Sequence, residues 1–260
     1  MDWQLRSADA IRWFELMGLP RLALWFFTRH RGISSPPFDS LNCSGSTGDE
    51  PGRVAANLRI AAEAARIERL ALLRQVHSST VVRLRTDCCS IETPTADACW
   101  TTDQGIGLAV RVADCLPVYI AARSGDCVGL AHCGWRGTAA QLARRLLDAM
   151  AGETGTAPSG FVFAAGPSIC RDCYEVGDDV RSEFARSFPA GDRFFGAGRT
   201  SQPGRSYLDL RAANRWLLLE AGLCELPGID LCTYEQPSLL FSARRGTPTG
   251  RNLALAALQP

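Results

Sequence analysis

Short apolar runs alternate along the chain with stretches rich in Gly, Pro, Ser and Asn. Leu22–Thr28 is an unbroken apolar run of strand length, which predicts a buried strand. Residues 29–50 follow with no periodicity; a loop of that length is uncommon and tends to be functional. Val54, Leu58, Ala61 and Ala65 recur at helical spacing and predict a helix over 54–69. Residues 80–85 are strand-like and 88–94 form a surface turn. The β-prone runs 106–113, 117–122 and 127–132, separated by turn signals, predict consecutive strands.

Leu142, Leu146 and Ala149 share one face of a predicted helix over 138–150. A strand over 161–165 ends at Gly166-Pro167, and Asp178 and Asp209 cap predicted helices over 178–188 and 209–223. A last strand is predicted over 229–234, and 191–206 as a mobile loop. Nothing reads as a linker or an internal repeat. The expectation is a single α+β domain over residues 1–260, a mixed β-sheet core flanked by helices.

Composition narrows the chemistry. All 28 basic residues are arginine, against 27 acids, for a net charge of +1. Without lysine there is no Schiff-base enzyme and no Walker-type nucleotide loop. The near-neutral charge argues against a nucleic-acid binder. No apolar run approaches a membrane span, and the N-terminus lacks the basic-then-apolar order of a signal peptide. With eleven irregularly spaced cysteines and no export signal, the expectation is reduced thiols in the cytoplasm.

Only three histidines are present: His30, His77 and His132. His132 ends an apolar strand and leads through Cys133 into a glycine-bearing turn, Gly134-Trp135-Arg136-Gly137, that opens a helix. Asp114 and Cys115 interrupt another apolar stretch, where a charge needs a partner or a task. Two imidazoles and a thiolate suit zinc, and three protein ligands leave a fourth position open. Asp114 is the expected orienter of a ligand histidine. Equally, the two histidines and the cysteine fit an apolar core without any metal, and their spacing does not decide between the two.

The motifs Gln75-Val76-His77, Ala96-Asp97, Ala113-Asp114-Cys115-Leu116-Pro117, Ala131-His132-Cys133-Gly134-Trp135-Arg136-Gly137-Thr138, Gly166-Pro167-Ser168-Ile169 and Tyr174-Glu175-Val176-Gly177 occur in order. Phe27-Thr28-Arg29 with Leu41-Asn42 precede them, and Phe241-Ser242-Ala243-Arg244 with Gly250-Arg251 follow. Together they resemble the multicopper polyphenol oxidase (laccase-domain) family, also described as a purine nucleoside phosphorylase and adenosine deaminase family that includes the bacterial peptidoglycan editing factor. The resemblance implies a layered α/β/β/α architecture and a zinc site at His77, Cys115 and His132. It also implies phosphorolysis of adenosine, inosine, guanosine and methylthioadenosine, and deamination of adenosine. The partners are then a small nucleoside and phosphate.

Around that metal set, Cys115, Asp114 and Arg136 are the catalytic candidates, with Arg136 as phosphate clamp. Arg29, Asn42 and Gln75 are the substrate-binding candidates. Trp135 is placed to stack on a purine. Two departures from the family pattern stand out: Cys133 replaces a small residue and should point away from the metal, and His30-Arg31-Gly32 carries one glycine where two are usual. Cys170 and Cys173 form a C-x-x-C pair with no second pair in sight, and chance proximity is the expectation.

Two other chemistries fit less of this. A peptidoglycan-precursor amidase would use Cys115 as nucleophile with His132 or His77 as base. A copper polyphenol oxidase needs more histidines than three.

Overall fold

Why 22–27 is apolar at every position follows from what covers it. In the computed structural model its alternate residues serve two different cores. Leu22, Leu24 and Phe26 enter a layer between two sheets, while Ala23, Trp25 and Phe27 meet a helix on the other side. A strand buried on both faces reads as continuous rather than alternating. The structure describes residues 2–8, 11–16, 18–19, 21–86, 93–196 and 204–259.

In chain order the strands are β1 (Trp3–Ala8), β2 (Ile11–Leu16), β3 (Leu22–Phe27), β4 (Leu70–Leu72), β5 (Val81–Arg83), β6 (Ala98–Thr101), β7 (Gly107–Val112), β8 (Leu116–Ala122), β9 (Val128–Cys133), β10 (Phe161–Ala165), β11 (Glu175–Gly177), β12 (Phe195–Gly196), β13 (Arg205–Leu208), β14 (Cys224–Glu225) and β15 (Asn252–Leu258). The helices are α1 (Pro51–Ala64), α2 (Trp135–Ala139), α3 (Leu142–Thr154), α4 (Asp178–Ser187) and α5 (Leu210–Glu220).

Among the described residues, one six-stranded sheet runs β1-β2-β3-β15-β7-β4 and a second runs β14-β10-β8-β9-β6-β5. They pack face to face through Phe26, Val110, Ala254, Tyr119, Leu130 and Val162. The outer face of the first sheet is covered by α1 through Ala61 and Ala65. The outer face of the second is covered by α3, α4 and α5 through Leu146, Phe184 and Leu217. The protein is therefore mixed α+β in four layers, helix, sheet, sheet, helices. A small third sheet, β11-β13-β12, lies beside the helical layer.

Several expectations change. The helix over 138–150 divides into α2 and α3 at Gln141, whose φ is 58°. That left-handed residue re-aims α3 so that Leu142, Leu146, Leu147 and Met150 lie on the second sheet. The strand expected over 229–234 is not a strand; only a bridge between Ser168 and Cys232 forms there. The Ile229 carbonyl is instead taken by the Arg211 guanidinium at 2.8 Å. Residues 191–206 hold a 3-10 turn, β12 and the start of β13; 197–203 lie outside the described residues. Most of the turn expected at 88–94 lies outside them too. β15 was not foreseen, because Ala254, Ala256 and Ala257 carry no strand propensity. It occupies the centre of the first sheet, where Ala254 lies opposite Phe26 and Ala256 opposite Leu24, leaving room for the larger side chains.

Candidate metal centre

The two sheets are joined by chain segments that leave one and enter the other. Such corners cannot keep regular strand geometry. The segment from β4 to β5 carries His77, with φ of 59°, and the turn from β7 to β8 carries Asp114, with φ of 98°, followed by Cys115. Left-handed backbone at non-glycine residues costs on the order of 1–3 kcal/mol and concentrates at functional sites. His132 comes from the C-terminal end of β9, which pairs with β8 so that Pro117 faces His132 and Leu116 faces Cys133.

These three side chains converge. The donor atoms of His77, Cys115 and His132 all lie within 4.8 Å of one another. His77 Nε2 is 3.9 Å from Cys115 Sγ, and the two imidazole rings meet edge to face with centroids 4.9 Å apart. A tetrahedral zinc with bonds of about 2.0–2.3 Å needs its donors about 3.3–3.8 Å apart, so the set fits one ion after small side-chain rotations. Gly134 forms the wall: a Cβ there would sit 2.9 Å from Cys115 Sγ and 3.1 Å from His77 Cδ2.

The carboxylate that organises the centre is Asp97, and not Asp114 as the sequence led us to expect. Asp97 is fully buried at the start of β6. Its Oδ1 accepts from His132 Nδ1 at 2.9 Å and from the His77 backbone N–H at 3.0 Å. Its Oδ2 accepts from the N–H groups of Val76 and Ser78 and from the Ser78 hydroxyl, at 3.1, 2.6 and 2.8 Å. One carboxylate thus shapes the His77 loop and orients His132, leaving Nε2 of His132 toward the centre. Burial alone would raise the carboxyl pKa; the bonds from His132 and Ser78 override it and hold Asp97 well below the usual range. The signal was present in Ala96-Asp97, an acid opening a buried strand, but its partners are remote in sequence.

Cys115 and His132 form a coupled pair. Burial opposes ionisation of both; the His132 charge and bonds from both histidines nevertheless pull the Cys115 thiol down. The Cys115 charge and Asp97 push His132 up. The centre therefore favours a thiolate, the form that binds metal or attacks carbon.

The Asp114 carboxylate has another task. Oδ1 accepts from the Thr233 hydroxyl at 2.6 Å and Oδ2 from the Arg244 N–H at 2.9 Å, so it ties the Cys115 turn to the C-terminal loops. Gln75 is also structural in its contacts: its amide closes onto the backbone N–H and carbonyl of Arg111. Asn42 is buried, bonding Ser44, Thr47, Asp49 and the Arg251 N–H. Arg29 pairs with Asp39 at 3.0 Å and lies over the Phe241 ring. Arg136 stacks on Trp135 at 4.2 Å and lines a cleft with Asp179, Glu183 and Arg186. That cleft sets two arginines against two acids and is lined by none of His77, Cys115 and His132, and the Trp135 face is taken by the Arg136 guanidinium. The arginine whose charge reaches both Asp114 and Cys115 is Arg251; Arg245 senses Asp114, and Arg244 binds Asp114 through its backbone N–H while its guanidinium lies over the Tyr174 ring.

The two departures also find their places. Cys133 points into the helical core, away from the centre, as the strand alternation predicted. Arg31 adopts φ of 64°, a left-handed conformation that favours glycine. It lines a groove with Ile11, Trp13 and Glu63 on the α1 side of the first sheet.

This is a two-sheet α+β protein with a two-histidine, one-cysteine centre at the crossover between its sheets. Residues 23–259 match the family described as multi-copper polyphenol oxidoreductase laccase, and the chain belongs to that family. A Xylella fastidiosa protein named purine nucleoside phosphorylase is 38% identical over 239 residues, covering 86% of this chain and 87% of its own. The solved structure of YlmD from Geobacillus stearothermophilus aligns with a TM-score of 0.88 at 32% identity, over 98% of this chain and 99% of that one. The Bacillus licheniformis protein YfiH, solved as a hypothetical protein, aligns with a TM-score of 0.89 at 29% identity, covering 98% and 99%. Among the described residues no helix is long and apolar enough to cross a membrane.

Proposed function

We propose that this protein is a zinc-dependent purine nucleoside phosphorylase that also deaminates adenosine. The observation that carries the proposal is the convergence of His77, Cys115 and His132 with a buried Asp97 fixing the imidazole. The names of the relatives support the substrate class. In phosphorolysis a phosphate oxygen bonds ribose C1′ as the C1′–N9 bond breaks, giving ribose 1-phosphate and a purine that takes up a proton. Adenosine, inosine, guanosine and methylthioadenosine share that bond. In deamination water adds at the purine C6 and ammonia leaves.

His77, Cys115 and His132 would hold the zinc. Zinc supplies a Lewis acid and lowers the pKa of a coordinated water toward about 7. Asp97 keeps His132 in the tautomer that presents Nε2. In this reading the phosphate meets Arg251, whose charge senses Asp114 and Cys115, in place of Arg136.

Purified, zinc-loaded protein incubated with adenosine, with and without phosphate, tests this. Adenine and ribose 1-phosphate that appear only with phosphate mark phosphorolysis; inosine formed without phosphate marks deamination. Neither product from protein with measured zinc overturns the proposal.

The thiolate-favouring pair of Cys115 and His132 also supports a second reading, an amidase acting on a peptidoglycan precursor through Cys115. Activity on such an amide that survives chelation and disappears in Cys115→Ser would favour it. A multi-copper centre needs more imidazoles than the three this chain has, two of which converge in one donor set.

A further inference from the structure

A second set of metal-type donors lies outside the centre. Cys170, Cys173, Cys232 and Glu235 bring their donor atoms within 4.8 Å of one another. The first two flank a 3-10 turn, Arg171–Cys173, in which the Cys173 N–H donates to the Cys170 carbonyl at 3.1 Å. A C-x-x-C turn of this kind sets two sulfurs side by side for one ion. The third sulfur comes from 62 residues further on. It is fixed beside them by the Ser168–Cys232 bridge, in which the Thr233 N–H donates to the Ser168 carbonyl at 3.0 Å. The Cys170 N–H donates to Cys232 Sγ at 3.3 Å, the kind of bond that accompanies a metal thiolate.

Other cysteines show what an unoccupied thiol looks like here. Cys43, Cys99, Cys127 and Cys133 are buried among apolar side chains as small hydrophobes. Cys170, Cys173 and Cys232 border the helical core as well, but their sulfurs face one another with the Glu235 carboxylate beside them. Zinc takes three thiolates and a carboxylate in a tetrahedron whose sulfurs are about 3.8 Å apart. A disulfide between Cys170 and Cys173 would leave Cys232 and Glu235 without a role in the arrangement.

We propose that Cys170, Cys173, Cys232 and Glu235 form a second, structural zinc site, separate from the His77–Cys115–His132 centre. Its place in the fold gives it a task. The segments it joins both grip Asp114: the Ile169 N–H donates to the Asp114 carbonyl at 3.0 Å, and the Thr233 hydroxyl to its carboxylate at 2.6 Å. A metal here staples the loops that hold the turn bearing Cys115.

The test is the zinc content of the full-length protein and of three variants, purified from zinc-supplemented medium under reducing conditions. The expected contents are about two ions per chain in the wild type, about one in His77→Ala, about one in Cys232→Ser, and none in the double variant. In the His77→Ala background, cobalt added to the metal-free protein should give a strong thiolate-to-cobalt charge-transfer band. Cys173→Ser should weaken that band, and Cys173→His, which keeps a donor, should retain the metal. Should Cys232→Ser fail to fold, these cobalt titrations decide. His77→Ala protein that binds no metal with all thiols titratable, or that carries a Cys170–Cys173 disulfide, overturns the proposal. Because this readout is made with the first centre disabled, it stands apart from the activity assay.

Discussion

The two donor clusters use the same side-chain chemistry differently. At the crossover between the sheets, two nitrogens and one sulfur converge beneath a glycine wall, and a fully buried carboxylate stands behind them. Between the 3-10 turn and the Cys232 segment, three sulfurs and a carboxylate supply four donors, and the Cys170 backbone N–H donates to Cys232 Sγ. Three donors leave a coordination position for a reactant; four close the shell. One cluster is thus equipped to act and the other to hold. The backbone agrees: strained φ values at His77 and Asp114 belong to the first cluster, while Cys170 and the 3-10 turn it opens keep unstrained geometry.

The sharpest way to break this contrast is to remove a donor from each cluster and compare readouts. His77→Ala or Cys115→Ser should lower turnover on the order of 10³-fold while changing the melting temperature little, as steady-state assays and thermal scans would show. Cys232→Ser should do the reverse, and loss of turnover equal to that of His77→Ala would end the distinction.

Asp97→Asn comes next. An amide cannot accept from His132 and three backbone N–H groups at once. Expected are a 10–100-fold loss of zinc affinity at the first centre, read by competition with a chelator, and about 3–5 kcal/mol of stability, read by urea unfolding. Unchanged zinc affinity would reduce Asp97 to a loop anchor.

Gly134→Ala is a smaller perturbation. Its Cβ would meet Cys115 Sγ at 2.9 Å, so the thiol must shift. The cost should be about 1–3 kcal/mol, with weakened metal binding at the first cluster and an intact second one.

The smallest effect concerns the loop network outside both clusters. Burial would raise the Asp49 carboxyl, but bonds from the Ser34 hydroxyl, Asn42 and the Glu50 N–H, together with the Arg53 charge, lower it. A depressed carboxyl contributes stability above its unfolded pKa, near 3.9, and loses it as pH falls through the folded value. Asp49→Asn should cost about 1 kcal/mol near neutral pH and flatten the acid limb of the unfolding curve.

Alternation and turn chemistry are local, so much of the layered core was visible along the chain. The runs at β3, β8, β9 and β10 announced themselves because strands buried on both faces are apolar throughout. β15 was hidden by its alanines, and 229–234 looked like a strand although its carbonyls are taken by side chains. For the candidate site, motif order pointed to His77, Cys115 and His132. It could not show that Gln75 spends its amide on the Arg111 backbone and Asn42 its own within the loop, nor that Arg136 shares a cleft with Asp179 and Glu183.

The sequence by itself determined the alphabet of the chemistry: no lysine, three histidines, eleven cysteines, and glycines where the chain turns sharply. Burial of apolar faces determined the layers, because each strand's pattern states how many of its faces are covered. The tertiary structure alone decided which acid serves which imidazole and which cysteines meet. Asp97 reaches His132 across 35 residues and Cys170 reaches Cys232 across 62. Such pairs arise where crossovers between sheets bring distant loops together, and a local pattern carries no record of that geometry.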